Sequence, residues 1–249
     1  MEKQTAIIIP ARYESSRLRG KPLIEVGGKP IIQWVFEKAV QAQLADRVII
    51  ATDNEKIYET SLMFGAEAEM TLDTHNSGSD RIAEVADRHP EIAYIVNLQG
   101  DEPMINPETI DTVIRLLKED DEADISTLVR EVKEENEINN PNLVKCVFNN
   151  LGYAMYFSRS KIPYERNVGH SKFYGHLGIY GYKREALFNM TGGNQTSLEL
   201  SESLEQLRAL QMGMKIKVSV VEDKPIGIDT IEDLNNFKAS IVSSPLSLE

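Results

Sequence analysis

Three short apolar runs, AIIIP (6–10), RVIIATD (47–53) and AYIVNLQ (93–99), constrain the fold more than any other feature of the chain. Each is continuous rather than alternating, which is the pattern of a strand covered on both faces and hence of a parallel sheet flanked by helices. Segments of helical period lie between them. Ile31, Ile32, Val35, Phe36, Ala39 and Val40 recur at that spacing after Pro30, a residue suited to a helix start, and Ile110, Val113, Ile114 and Leu117 do so after Pro107. The order βαβαβ predicts an α/β fold with a doubly wound, mostly parallel sheet.

The second half reads differently. LVKCVFNNLGYAMYFSR and FYGHLGIYGYK hold two or three strand-like, aromatic-rich pieces, which predict a mixed or antiparallel extension of the sheet. After them the pattern predicts a helix from about Leu200 to Gly213, a strand at KIKVSVV (215–221) and a last helix opened by DTIEDL, where Thr230 and Asp233 have capping-box spacing. The acidic run KEDDEAD (118–124) reads as a solvated helix end and loop.

Charge narrows the partners. The chain carries 39 acidic against 27 basic residues, a formal net charge of −12, so it lacks the broad basic field that nucleic acid or an anionic membrane requires. No run approaches the roughly 18 apolar residues of a membrane span, and no signal-peptide pattern opens the sequence, so the expected location is the cytoplasm. The single cysteine, Cys146, sits in the apolar run LVKCVF and reads as a buried structural thiol.

Against that charge, Arg12, Arg17, Arg19 and Lys21 gather in the loop that leaves the first strand. In open α/β sheets ligands are met beyond the carboxyl ends of the strands, so the position suits a binding loop. It is not a P-loop, because RLRGKP lacks the glycine spacing and Pro22 stands where Ser or Thr would, and no G-x-G-x-x-G occurs. What remains is a long turn with the Ser15 and Ser16 hydroxyls, guanidinium groups and an ammonium, which either wraps a triphosphate or is an ordinary exposed charged loop.

A second candidate is NLQGDEPMI (97–105). Carboxylates at the end of a buried strand need a cation or hydrogen-bond donors, which makes Asp101 the stronger metal-ligand candidate, Glu102 the weaker, and a turn carboxylate the commoner alternative. In GIDT (227–230) Asp229 is either a ligand or part of the helix start. NSGSDR (76–81) can seat a base or ribose through backbone groups and Arg81. No histidine pair has zinc-ligand spacing, and His176 in its aromatic strand reads as a satisfied, half-buried imidazole.

Taken together, IIPARYESSRLRGKPL, ATD (51–53), NSGSDR, NLQGDEPMI, YAMYFSRSKIPY, HLGIYGY, LEQLRAL and GIDTIEDL resemble, in order across nearly the whole chain, the CMP-Kdo synthetases, or 3-deoxy-manno-octulosonate cytidylyltransferases. The resemblance implies a homodimeric, Mg²⁺-dependent enzyme of the nucleotide-diphospho-sugar transferase fold. It would join CTP and 3-deoxy-manno-octulosonate (Kdo) into CMP-Kdo and pyrophosphate for lipopolysaccharide assembly. It implies a single domain over 1–249, with a nucleotide-binding part near 1–125 and a sugar-binding and dimerisation part near 126–249. Carried onto matching positions, Arg12 and Lys21 hold phosphate, with Ser15 and Ser16 as supporting donors. Pro10, Ala11, Ser77, Arg81 and Gln99 hold the cytidine, and Asp101 and Asp229 form the metal pair. Lys21, Arg12, Asp101 and Asp229 are thereby the catalytic set, and Arg159, His176, Tyr180, Glu205 and Gln206 receive the sugar acid.

The chain departs from the family pattern at Arg19, where Pro is frequent, at IGIDTIEDL, where TGVDTPEDL is usual, and in a short segment between Pro163 and His176. The alternatives are a cytidylyltransferase for 8-amino-Kdo or another sugar acid, and, in a different class, a sugar-nucleotide-binding regulatory protein without turnover. The last is expected to lack Asp101 or Asp229, and both are present.

Overall fold

Alternation of side chains along the first strand sets the architecture. In β1 (Gln4–Ala11) Ile7 and Ile9 enter one apolar cluster while Ala6 and Ile8 enter another, and all four are fully buried. A strand with two buried faces must lie inside a three-layer sandwich.

The computed structural model describes residues 3–14, 18–167, 169–224 and 227–243. A 3-10 turn at Lys21–Leu23 and the two-residue strands β2 (Glu25–Val26) and β3 (Lys29–Pro30) lead from β1 into helix α1 (Ile31–Ala39). There follow β4 (Arg47–Thr52), α2 (Glu55–Met63), β5 (Glu67–Met70), α3 (Gly78–Arg88), β6 (Ile92–Asn97), α4 (Pro107–Glu119), β7 (Ile125–Val132) and α5 (Glu135–Asn139). The antiparallel strands β8 (Lys145–Phe148), β9 (Ala154–Ser158) and β10 (Phe173–Lys183) come next. Then come α6 (Arg184–Gly192), α7 (Ser197–Glu202), α8 (Gln206–Gln211), β11 (Ile216–Val220) and α9 (Ile231–Ser243).

The sheet runs β11-β7-β10-β6-β1-β4-β5, with β8 on β10 and β9 on β8. β1 is parallel to both β4 and β6, and β10 runs antiparallel to β6 and β7. Helices α1, α4 and α9 share one apolar cluster, and α3, α6 and α8 share the other. The expected doubly wound sheet with an antiparallel extension is therefore present.

One expected element is divided. The segment from about Leu200 to Gly213 is two helices, α7 and α8, because Ser203 takes a left-handed backbone at φ 52° and the chain turns there. The buried pair Arg208 to Glu199, with Nη2 to Oε1 at 2.5 Å and Nε to Oε2 at 2.8 Å, then locks the two pieces together. The capping box at Thr230 forms as expected: Asp233 Oδ2 accepts from Thr230 N at 2.8 Å, and Asp233 N donates to Thr230 Oγ1 at 3.1 Å. Among the described residues no helix is long and apolar enough to cross a membrane.

Candidate active site

β4 and β6 flank β1 on opposite sides, so the chain leaves β1 and β6 at a point where strand order reverses, the place where open α/β sheets bind ligands. Two loops meet there. The loop after β6 lies directly against β1: a Cβ at Gly100 would stand 2.9 Å from the Pro10 carbonyl oxygen, so only glycine permits the approach. In the loop after β1, Gly20 takes φ 68° and opens the 3-10 turn that begins at Lys21.

That turn aims Lys21 at the end of β6. Its Nζ donates to Asp101 Oδ2 at 2.5 Å and to Asp229 Oδ1 at 3.3 Å. A backbone bond from Ile228 N to Asp101 O, 2.9 Å, fixes the two carboxylate-bearing segments side by side although 128 positions separate them in sequence. The spacing that sequence alone leaves ambiguous becomes one site: both carboxylates reach a single cationic atom.

Negative charge exceeds that one ammonium. Asp101, Asp223 and Asp229 lie close enough to Glu102 to repel its charge, and burial, the larger cause, together with these neighbours pushes the Glu102 carboxyl up to about 8. Its Oε2 is buried and has no hydrogen-bond partner among the described residues. Hard oxygen donors with surplus charge are the donor set that Mg²⁺ takes, so Asp101 and Asp229 fit that ion. Glu67, Glu69 and His89 also bring ligand atoms within 4.8 Å of one another, but Arg47 and Arg88 already pair with those carboxylates.

Beside the carboxylates opens a cavity of about 130 Å³ lined by Pro10, Ala11, Arg12, His75, Asn76, Ser77, Gly78, Arg81 and Gln99. All five positions expected to hold a cytidine are in this lining, together with Arg12. Ser77 caps α3 with a capping box to Asp80, which points the helix N-terminus into the cavity. Arg81, 3 % exposed, is oriented by Asp53 at 2.6 Å and by Thr71 Oγ1. Gln99 Nε2 donates to Asn97 Oδ1 at 3.2 Å. Asn76 and Gly78 belong to NSGSDR, the segment read from sequence as a seat for a base or ribose, whereas His75, directly before it, was missed and its adjacency is the available signal. Ser15 and Ser16 lie outside the described residues.

The positions expected to meet a sugar acid cluster around β10 and α8. His176 and Tyr180 stack with ring centroids 5.1 Å apart, Phe157 stands 5.2 Å from the imidazole, and Thr127 Oγ1 lies 2.9 Å from His176 Nε2. Burial pushes His176 down to about 3, so the ring is neutral. Gly178 faces the site, since a Cβ there would stand 3.5 Å from Glu102 Oε1. Glu205 joins this cluster to the base cavity by accepting from Ser79 Oγ at 2.8 Å and Ser77 Oγ at 3.1 Å; burial raises its carboxyl, which these hydroxyls partly offset. Gln206, next to it, is buried at the start of α8. Arg159 donates through Nε to Glu202 O at 2.7 Å, through Nη1 to Pro141 O at 3.1 Å and through Nη2 to Ser203 O at 3.3 Å. Among the described residues no carboxylate pairs with its guanidinium. Burial pushes the Cys146 thiol far up, as a structural thiol requires.

The sequence profile of the cytidylyltransferase family matches residues 6–216. A 3-deoxy-manno-octulosonate cytidylyltransferase of Thermodesulfovibrio yellowstonii is 47 % identical over 243 residues, covering 92 % of this chain and 95 % of that one. One of Fusobacterium nucleatum is 46 % identical over 91 % of this chain and 92 % of its own. The solved structure of a CMP:2-keto-3-deoxy-manno-octonic acid synthetase complexed with CTP superposes with a TM-score of 0.93 at 39 % identity, covering 97 % of this chain and 99 % of that one.

Proposed function

The chain belongs to the cytidylyltransferase family, with the 3-deoxy-manno-octulosonate cytidylyltransferases as its relatives, and from that premise we propose how its site works. It is a nucleotidyltransferase that moves CMP from CTP to the anomeric hydroxyl of Kdo, yielding CMP-Kdo and pyrophosphate. The anomeric oxygen forms a bond to the α-phosphorus while the bond from that phosphorus to the oxygen bridging to the β-phosphate breaks, and the electron pair leaves on pyrophosphate. Charge grows on non-bridging and leaving oxygens, so the protein's task is positioning and electrostatic stabilisation.

The observation that carries this reading is the meeting of Lys21 with Asp101 and Asp229, Lys21 and Asp101 standing on the same two loops that bring Arg12 and Gln99 to the cavity. In this reading Lys21 and Arg12 hold the phosphates of a nucleotide seated in the cavity and neutralise them locally in an acidic protein. Asp101 and Asp229 would hold Mg²⁺, which when bound supplies charge neutralisation at phosphate oxygens and eases deprotonation of the attacking hydroxyl. His176 is hydrogen-bonded to Thr127, and burial makes its ring too weak a base to take a proton near neutral pH, so in this reading it orients the sugar. Arg159 provides the fixed cation that a sugar carboxylate needs on leaving water.

Three finer features belong to the same reading. The enzyme acts in the cytoplasm, where CTP is available. It supplies an activated sugar to lipopolysaccharide assembly. It pairs as a homodimer, supported by β9, which among the described residues pairs as a strand with β8 alone, and by Met155 and Leu151, 64 % and 71 % exposed nearby. Pyrophosphate release from each of the four ribonucleoside triphosphates, with Kdo and 8-amino-Kdo as acceptors, tests the reading. Release with CTP and Kdo well above every other pair is expected; preference for another nucleotide or acceptor would overturn it.

A further inference from the structure

Lys145 is among the largest fully buried side chains of the described residues, and none of the described carboxylates lies at hydrogen-bond distance from its Nζ. A buried ammonium is retained only if every donor is used. Here all three are: Nζ donates to Leu143 O at 2.7 Å, to Asn140 O at 2.9 Å and to Arg159 O at 2.6 Å. The first two carbonyls bracket Pro141, whose own carbonyl accepts from the Arg159 guanidinium at 3.1 Å. One ammonium thus ties both ends of the Arg159 side-chain setting, the residue's backbone and the loop that receives its Nη1.

Glu202 completes the frame from the other side. Its carboxylate accepts from Arg159 N at 2.9 Å and Ser158 Oγ at 2.6 Å, and its carbonyl accepts from Arg159 Nε at 2.7 Å. Lys145 and Ser158 are register partners on β8 and β9, and Gly175, which pairs with Lys145, precedes His176 on β10. The frame therefore joins Arg159 to His176, two of the five residues assigned to the sugar acid.

We propose that Lys145, together with Glu202, is a positioning residue that fixes the Arg159 guanidinium for recognition of the sugar carboxylate. The inference rests on the sugar-binding role given to Arg159 above. A packing lysine with no link to recognition would disturb CTP and Kdo use alike; a positioning lysine acts through Arg159 alone.

The test is a double-mutant cycle in the full-length enzyme, with steady-state kinetics for Kdo at saturating CTP and for CTP at saturating Kdo. Lys145→Met is expected to lower kcat/KM for Kdo by about tenfold or more, mostly through KM, with CTP use within about twofold of wild type. In an Arg159→Ala background the same change is expected to add almost nothing. If Lys145→Met does not fold, Glu202→Gln carries the same two expectations. Equal losses for CTP and Kdo, or losses that multiply in the double variant, would overturn the proposal. If Arg159→Ala alone leaves Kdo kinetics unchanged, the sugar-binding reading of Arg159 falls, and the proposal with it.

Discussion

Asp101 is where residue chemistry and function meet most closely. Asparagine is nearly isosteric but a poor ligand for a hard divalent cation, and it also gives up the charge that Lys21 Nζ contacts at 2.5 Å. Asp101→Asn is expected to keep the fold and lose turnover by at least about a hundredfold at ordinary Mg²⁺, read from pyrophosphate release alongside a thermal melt. Near-normal turnover would remove Asp101 from the metal pair. Asp101 and Asp229 were legible in the sequence as candidate ligands, but only resemblance to a family raised them above the turn and helix-cap carboxylates they could equally have been. What sequence withholds is their convergence, made by the Ile228 to Asp101 backbone bond. The Lys145 frame was not legible at all: a lysine in an apolar strand announces nothing until three carbonyls are found around it.

At the scale of elements, the loop between β6 and α4 places Asp101, and its position depends on one absent side chain. A Cβ at Gly100 would meet backbone, the Pro10 carbonyl oxygen at 2.9 Å, which cannot swing aside as a flexible side chain would. Gly100→Ala is expected to shift this loop and cut turnover by about tenfold to a hundredfold, with a loss of roughly 1–3 kcal/mol in urea unfolding. Unchanged kinetics would show that the loop tolerates the shift. The strands β1, β4 and β6 were legible because burial on both faces writes continuous apolar runs. The split of α7 from α8 was not, since Ser203 carries no local signal for a left-handed turn; the turn is held by the surrounding contacts, Arg208 on Glu199 above all. Antiparallel β8 and β9 were legible as strands but not in their pairing, which depends on contacts distant in sequence.

For the molecule as a whole, pH acts first through buried groups. His176 has a folded value of about 3 against 6.5 when exposed, so between these values the unfolded chain binds more protons. Its stabilising contribution is present above about 6.5 and is lost as pH falls toward 3, with a slope of up to about 1.4 kcal/mol per pH unit from this group alone. Urea unfolding at pH 7, 5 and 4 is expected to show a shallower decline in His176→Gln than in the wild type; equal declines would mean that the imidazole is not held neutral. The net charge of −12 opposes approach of two anionic substrates, and in the proposed site Lys21, Arg12 and Arg159 would offset it at short range, where screening is weakest. The central claim is that this site joins the α-phosphorus of CTP to the anomeric oxygen of a sugar acid. The most direct measurement is ³¹P NMR of the enzyme turning over CTP and Kdo with Mg²⁺. The account predicts that the three CTP signals give way to one phosphodiester signal and an equimolar pyrophosphate signal; accumulation of free CMP or CDP, or no change, would contradict it.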